Sequence, residues 1–237
     1  MKPLRNKWLI AALLVLLSST TCRPQTPITA FLPEVVSDFR LSPNLRLVFD
    51  AKGYMENADL DHAQIGPSLQ FNFRPLERLK RITVFDLDDM KCMPVVFTIG
   101  YRYLPSSVQP SVNRLQPIAL FHLPFPGSTL VTDRNRFDLD WQKGNFYWTY
   151  RNRITAERRL TIRSYHPGPY AAVEFGYQSQ FSKWTTTRLF AGSLFSLTTH
   201  IQLDTYYEHV NNTGRRPYLQ VNAAGLTVHL FFPSNRS

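Results

Sequence analysis

Cysteine is nearly absent. Cys22 and Cys92 are the only two in 237 residues, which excludes a disulfide-stapled scaffold. Past the N-terminus no stretch approaches the roughly 20 consecutive apolar residues that a transmembrane helix needs, so any membrane insertion has to be made by strands. No repeat longer than a hairpin is visible, and a chain of this length makes one domain. The six histidines, His62, His122, His166, His200, His209 and His229, form no HExxH-type metal pair and stand in no serine-hydrolase motif. The run Asp86-Leu87-Asp88-Asp89 has the carboxylates of a calcium loop but neither its glycine hinge nor its distal glutamate, so it reads as a solvated acidic loop. No catalytic set, metal site or cofactor is expected, and the reading favours a protein that is not an enzyme.

What is present begins with a leader. Lys2, Arg5 and Lys7 precede the apolar run Trp8–Leu17 and the small polar residues Ser18–Thr21, the layout of a secretory signal over residues 1–22, with one domain over 23–237. Cys22 follows Thr21 and Ser19, where a lipidation site has a small residue and an aliphatic one, so ordinary cleavage nearby is expected. Cys92 reads as a structural thiol in a loop. The formal charge of +10 falls to +7 without the three leader cations, and arginine dominates the second half. In an exported chain that excess suits anionic phosphates such as those of lipopolysaccharide, or a cation-rich pore wall. Export argues against nucleic acid as a partner.

The clearest pattern runs from Thr132 to Ala156. Val131, Phe137, Leu139 and Trp141 alternate with Arg134, Arg136, Asp138 and Asp140; after Lys143-Gly144, Phe146, Trp148, Tyr150 and Ile154 alternate with Arg151, Arg153 and Glu157. Aromatics on one face and charges on the other are what a barrel in lipid requires, the apolar face outward and the charged face inward. The expected fold is therefore all-β: an antiparallel up-and-down transmembrane barrel of ten to twelve strands in the outer membrane of a Gram-negative bacterium.

Alternation bounded by turn residues marks eleven candidate strands, near Glu34–Leu41, Leu45–Ala51, Ser68–Arg74, Val95–Tyr103, Leu115–Leu123, Leu130–Trp141, Phe146–Glu157, Tyr170–Gln178, Trp184–Leu197, His200–His209 and Tyr218–Phe231. Single-chain bacterial barrels have even counts, so twelve is preferred, with a further strand boundary expected within Ala156–Tyr170. Leu76–Met93 breaks the pattern and reads as a short amphipathic helix or long turn. Ser42-Pro43-Asn44, Pro124–Gly127 and Thr198-Thr199 read as short periplasmic turns, and Pro105–Asn113 and Val210–Pro217 as long external loops, with the short Lys143-Gly144 falling on the external side.

If Lys143-Gly144 is a two-residue turn, Trp141 opposes Phe146, Leu139 opposes Trp148 and Phe137 opposes Tyr150. Phe137, Trp141, Phe146, Trp148 and Tyr150 are then a lipid-facing aromatic girdle. On the other face Arg136 opposes Arg151 and Arg134 opposes Arg153, and like charges across a ladder repel, so acids must sit close by. The expected lumen cluster is Arg134, Arg136, Asp138, Asp140, Arg151, Arg153, Glu174 and Arg188, and so many charges in a barrel of this size suggest a plugged interior with a structural, binding or narrow-transport role. Two rivals stand beside it. One is an outer-membrane lipid-modifying enzyme using Ser193 or Ser196 with His200 or His229. The other is a soluble periplasmic β-sandwich or lipocalin-like binder, which would need a second layer over the aromatic face.

Several segments carry a resemblance: Asp133–Leu139, its partner Tyr150–Thr155, Pro169–Glu174 with its Pro-Tyr-x-x-x-Glu, Arg188–Gly192, Tyr206-Tyr207 and the strand Leu226–Phe231. Together they resemble a bacterial domain-of-unknown-function family of outer-membrane β-barrels, well over Val131–Phe232 and loosely upstream around Gly100–Tyr103. The resemblance implies an outer-membrane barrel with no established activity. Its partners would be outer-membrane lipid, lipopolysaccharide and the barrel insertion machinery. Such barrels usually end on an aromatic residue, whereas here Phe232 is followed by Pro233–Ser237.

Overall fold

The computed structural model describes residues 27–56, 59–72, 88–107, 109–163, 165–214 and 218–233. The expected leader with Cys22, the amphipathic stretch beginning at Leu76 and the carboxylate of Asp86 lie outside the described residues. Within them, eleven strands close into one barrel: β1 (Ile28–Ser42), β2 (Leu45–Glu56), β3 (Asp59–Asn72), β4 (Val95–Leu104), β5 (Val112–Phe125), β6 (Thr129–Gln142), β7 (Asn145–Arg158), β8 (Gly168–Gln178), β9 (Lys183–Ser196), β10 (Ile201–Asn212) and β11 (Leu219–Phe232). At about 3.3 Å per residue and a tilt near 40°, a 14-residue strand such as β6 stands roughly 35 Å tall, more than the ~25 Å apolar band of an outer-membrane barrel.

The barrel is apolar outside and charged inside. Phe31, Phe49, Ile99, Phe137, Leu189 and Leu226, from six different strands, are exposed, while Asp138 and Glu174 are almost fully buried. A β-sandwich does not fit this arrangement, because the sheet closes on itself and no second sheet of described residues covers the aromatic face.

Eleven lies within the expected ten to twelve strands, but the even count does not hold. Neighbouring strands are antiparallel all round the ring except at one seam, where β1 and β11 run parallel from Ile28↔Val221 to Phe39↔Phe232. An odd number of alternating strands leaves the first and last pointing the same way, so closure is possible only through a parallel pair. The further strand boundary expected in Ala156–Tyr170 is also absent among the described residues. There β7 continues to Arg158, and Ile162 and Tyr165 close a small turn before Gly168 begins β8.

The Lys143-Gly144 turn has positive φ at both residues, 49° and 80°, the twist that matches flanking antiparallel strands. It fixes Trp141↔Phe146, Leu139↔Trp148, Phe137↔Tyr150, Arg136↔Arg151 and Arg134↔Arg153. Odd parity also sorts the connections. Among the described residues, the mouth where β1 begins, the upper mouth, carries 105–107, 109–111, 143–144, 179–182, 213–214 and 218. The lower mouth carries 43–44, 88–94, 126–128, 159–163, 165–167 and 197–200. Length therefore does not distinguish the two sides, since long and short connections occur at both.

Two tyrosines fill the inner wall near the seam by lying over glycines. Tyr170 on β8 pairs with Gly192 on β9, Gly192 pairs with Tyr206 on β10, and Tyr206 pairs with Gly225 on β11. A Cβ on Gly225 would stand 2.0 Å from the Tyr206 ring, and one on Gly192 would stand 2.7 Å from the Tyr170 ring. Glycine is required here for space, not for turn geometry. The laid-down rings deliver their hydroxyls along the wall, Tyr170 to Asp204 at 2.9 Å and Tyr206 to Lys52 of β2 at 3.1 Å.

Candidate functional site

The strand phase that turns Phe137 and Trp141 outward turns Arg114, Arg134, Arg136, Arg151, Arg153 and Arg188 into the lumen, where two carboxylates organise them. Asp138 accepts from Arg136 Nη2 at 2.9 Å and from Gln116 Nε2 at 2.8 Å, and forms ion pairs with Arg151 at 2.9 Å and Arg114 at 3.7 Å. Glu174, two strands further on in β8, meets Arg134 at 2.7 Å, Arg153 at 2.9 Å, Arg151 at 3.4 Å and Arg188 at 3.6 Å. Arg114 also grips Asp140 through Nε and Nη2 at 2.6 and 2.8 Å, and Arg188 reaches Glu208 at 3.0 Å. The facing pairs Arg136/Arg151 and Arg134/Arg153 are thus each bridged by one buried acid, which answers the repulsion their register creates.

Six guanidiniums here meet four carboxylates, leaving this wall a surplus of two positive charges. The Nε groups of Arg134 and Arg188 are buried and have no hydrogen-bond partner among the described residues. Arg153 lays its guanidinium 3.9 Å above the Phe190 ring.

All eight residues of the expected lumen cluster therefore occupy one interior. The five expected girdle aromatics lie together on the outer face: Phe137 and Tyr150 have ring centroids 5.0 Å apart, Trp141 and Phe146 5.3 Å, and Trp148 stacks on Tyr177 at 5.5 Å. Tyr177 and Trp184 extend that patch to β8 and β9 and were not singled out by alternation. Arg114 and Gln116 were also missed as cluster members, the first because the strand read from sequence began one residue after it.

The wall around the seam is built differently. Ala30, Leu32, Val221 and Ala223 form a small buried apolar cluster, with Ile28, Tyr54, Tyr206 and Val210 packed against it. Below it a polar clasp crosses four strands, for Lys52 Nζ reaches Glu34 of β1 at 3.2 Å and Tyr206 of β10 at 3.1 Å, and Thr227 of β11 donates to the same Glu34 carboxylate at 3.3 Å. Between the two walls lies a cavity of about 610 Å³, lined at the upper mouth by Ile28, Tyr54 and His62 and deeper by Arg134, Arg188 and Asp204.

At the lower mouth the chain folds across the opening. Asp88 caps a 3-10 turn, Asp89–Cys92, by accepting from Met90 N, and Arg46 of β2 donates to Asp88 at 3.2 Å. Lys91 Nζ donates to Glu157 of β7 at 2.7 Å, Met90 is 2% exposed, and His122 Nδ1 lies 2.6 Å from Met93 O. In the ring β2 and β7 are five strands apart one way and six the other, so the turn is tied to opposite walls. Burial pushes the Asp88 carboxyl up, but Arg46, Lys91 and His122 outweigh it and hold it below the ordinary carboxylate range. Asp88 is thus a fastening of this turn, in which Cys92 sits half-buried.

The serine and histidine candidates are not brought together. Ser193 has the outward phase of β9, His200 lies exposed in a turn beside Thr199, and Gln202 stands between Ser196 and His229 in the register. The Ser196 hydroxyl is 3.5 Å from that Gln202 amide. No group of three or more metal-binding side chains occurs among the described residues. Compared with known protein families and with curated proteins, the chain matches none.

Proposed function

We propose that the chain is an outer-membrane β-barrel whose lumen is a one-ended cup, open at the upper mouth and closed at the lower, with a binding or structural role in place of free conduction. The observation that carries this reading is the 3-10 turn at the lower mouth, fastened to opposite walls by Asp88–Arg46 and Lys91–Glu157. The cross-linked arginines narrow the interior above it. Membrane placement is supported by the exposed aromatic face and by strands tall enough to cross an apolar band, and export by the leader expected over residues 1–22. Outer-membrane lipid and lipopolysaccharide contact the outer wall on this reading, and the barrel insertion machinery delivers it, as in the family the sequence resembles.

Reconstitution of the purified full-length barrel into planar bilayers tests the closure. Little or no steady current is expected, and a large, stable, weakly selective current from the wild-type protein would overturn it. Lys91→Ala combined with Asp88→Ala is expected to raise conductance. An anion-selective current that disappeared on replacing Arg151 and Arg153 would instead establish a basic pore.

A further inference from the structure

One hydrogen-bonded row on the inner wall changes character halfway round. Reading across the register, Arg134 pairs with Arg153, Arg153 with Glu174, Glu174 with Arg188, Arg188 with Val210, Val210 with Val221, and Val221 with Ile28. The first four residues are charged and the last three are aliphatic. The boundary falls between two directly paired residues, Arg188 and Val210. Both halves line the same cavity of about 610 Å³, a size typical of small-molecule sites.

A barrel lumen is ordinarily polar, so an aliphatic stretch inside one calls for an explanation. Part of it is structural, because Leu32, Val221 and Ala223 pack on one another. Ile28, Tyr54 and Val210, however, stand only partly buried and line the cavity in front of that cluster. Across from them the arginine wall has its surplus of positive charge; the side chains of Arg134 and Arg188 line the cavity and stay 23% and 28% exposed, while their buried Nε–H groups have no hydrogen-bond acceptor among the described residues. An arginine carries five donors, and a single carboxylate has about four lone-pair sites, so Glu174 cannot satisfy the four guanidiniums around it. An oxyanion is the chemistry that uses the remaining donors.

We infer that the cup binds a small amphipathic oxyanion, such as a phosphate monoester or carboxylate on an aromatic ring or short chain, with the anion against Arg134 and Arg188 and the apolar part against Ile28, Tyr54 and Val210. Entering from the upper mouth, such a ligand reaches the arginines without passing the turn at the lower mouth. A purely inorganic anion leaves the aliphatic half wet, and a neutral apolar solute leaves the guanidinium donors unused. Selectivity for molecules carrying both parts follows.

Phenyl phosphate is the probe, titrated by calorimetry into the full-length barrel in lipid nanodiscs, with inorganic phosphate and phenol as the two half-ligands. Phenyl phosphate is expected to bind on the order of tenfold more tightly than either, about 1.4 kcal/mol. Arg188→Gln is expected to weaken phenyl phosphate and inorganic phosphate alike, whereas Val210→Asn weakens phenyl phosphate alone. Should a variant fail to fold, the wild-type protein still decides. Bound phenyl phosphate should protect Arg134 and Arg188 from phenylglyoxal, read residue by residue by mass spectrometry. Displacement of the probe by sub-micellar dihexanoylphosphatidate supports the inference with a lipid source for the ligand, and persistence of the probe supports it with a soluble one. Equal affinity for phenyl phosphate and inorganic phosphate, or modification of both arginines undiminished by ligand, overturns it. The inference rests on the cup reading, but the two fail separately. A barrel that conducts yet binds loses only its closure, and a silent barrel that does not bind loses only its ligand.

Discussion

On the β5–β9 side the interior is filled by long charged side chains that hold one another; on the seam side, β10, β11, β1 and β2, it is filled by tyrosines laid over glycines, a few aliphatics and one lysine–glutamate clasp. Both walls close the same lumen, but they depend on different things. The arginine wall needs Asp138 and Glu174 in place, because each of these two acids offsets several cations at once. The seam wall needs empty space at Gly225, because the Tyr206 ring can lie flat only where no Cβ intrudes, and at its border the Tyr170 ring of β8 makes the same demand of Gly192 on β9. One wall should therefore fail by subtraction and the other by addition.

The largest effect is expected from Asp138→Ala. It strands Arg114, Arg136 and Arg151 around a buried gap, and removing one partner of a buried ion pair costs about 3–5 kcal/mol. Urea unfolding in lipid vesicles measures it, and a cost below that of the seam variants would dissolve the distinction between the walls. Next comes Gly225→Ala. The added carbon collides with the Tyr206 ring, and overpacking of this kind costs about 1–3 kcal/mol. Pairing it with Tyr206→Ala sharpens the comparison, since the double variant should cost less than the two single changes added together. A smaller loss is expected from Tyr206→Phe, which removes only the hydroxyl that meets Lys52, about 0.5–1.5 kcal/mol in the same assay.

The mildest perturbation is acid. Because the Asp88 carboxyl is held below its ordinary range, its contribution is complete above the unfolded value, roughly pH 4, and disappears as pH falls through the folded one. Fluorescence of a probe attached at Cys92 should stay constant from neutral pH to about that point and change below it. A change already under way near pH 6 would show that another group controls the turn.

Local chemistry made much of this legible. The Lys143-Gly144 turn sets its own register, so the aromatic and arginine pairs of β6 and β7 could be read from residues 131–157 alone. Arg134, Arg136, Arg151 and Arg153 share a phase for the same reason. What could not be read depends on contacts far apart in sequence. The parallel seam joins residues 28–39 to 221–232, and nothing in either segment declares its partner or the odd parity that results. The Tyr206–Gly225 and Tyr170–Gly192 fits are equally nonlocal, for a glycine in a strand signals absent bulk without naming what fills it. Asp88 belonged to an acidic run that looked solvated because Arg46, 42 residues earlier, is not near it until the barrel closes.

The parallel seam also decides where anything attached to the barrel would sit. In a barrel of even count the first strand starts and the last strand ends at the same rim, so two fused domains share a compartment. Here β1 begins at the upper rim and β11 finishes at the lower one. A tag joined ahead of Ile28 and another joined after Phe232 would therefore start from opposite mouths of the barrel. The two ends of the barrel strands thus leave at opposite mouths, so whatever is fused to one is held a full strand height from whatever is fused to the other.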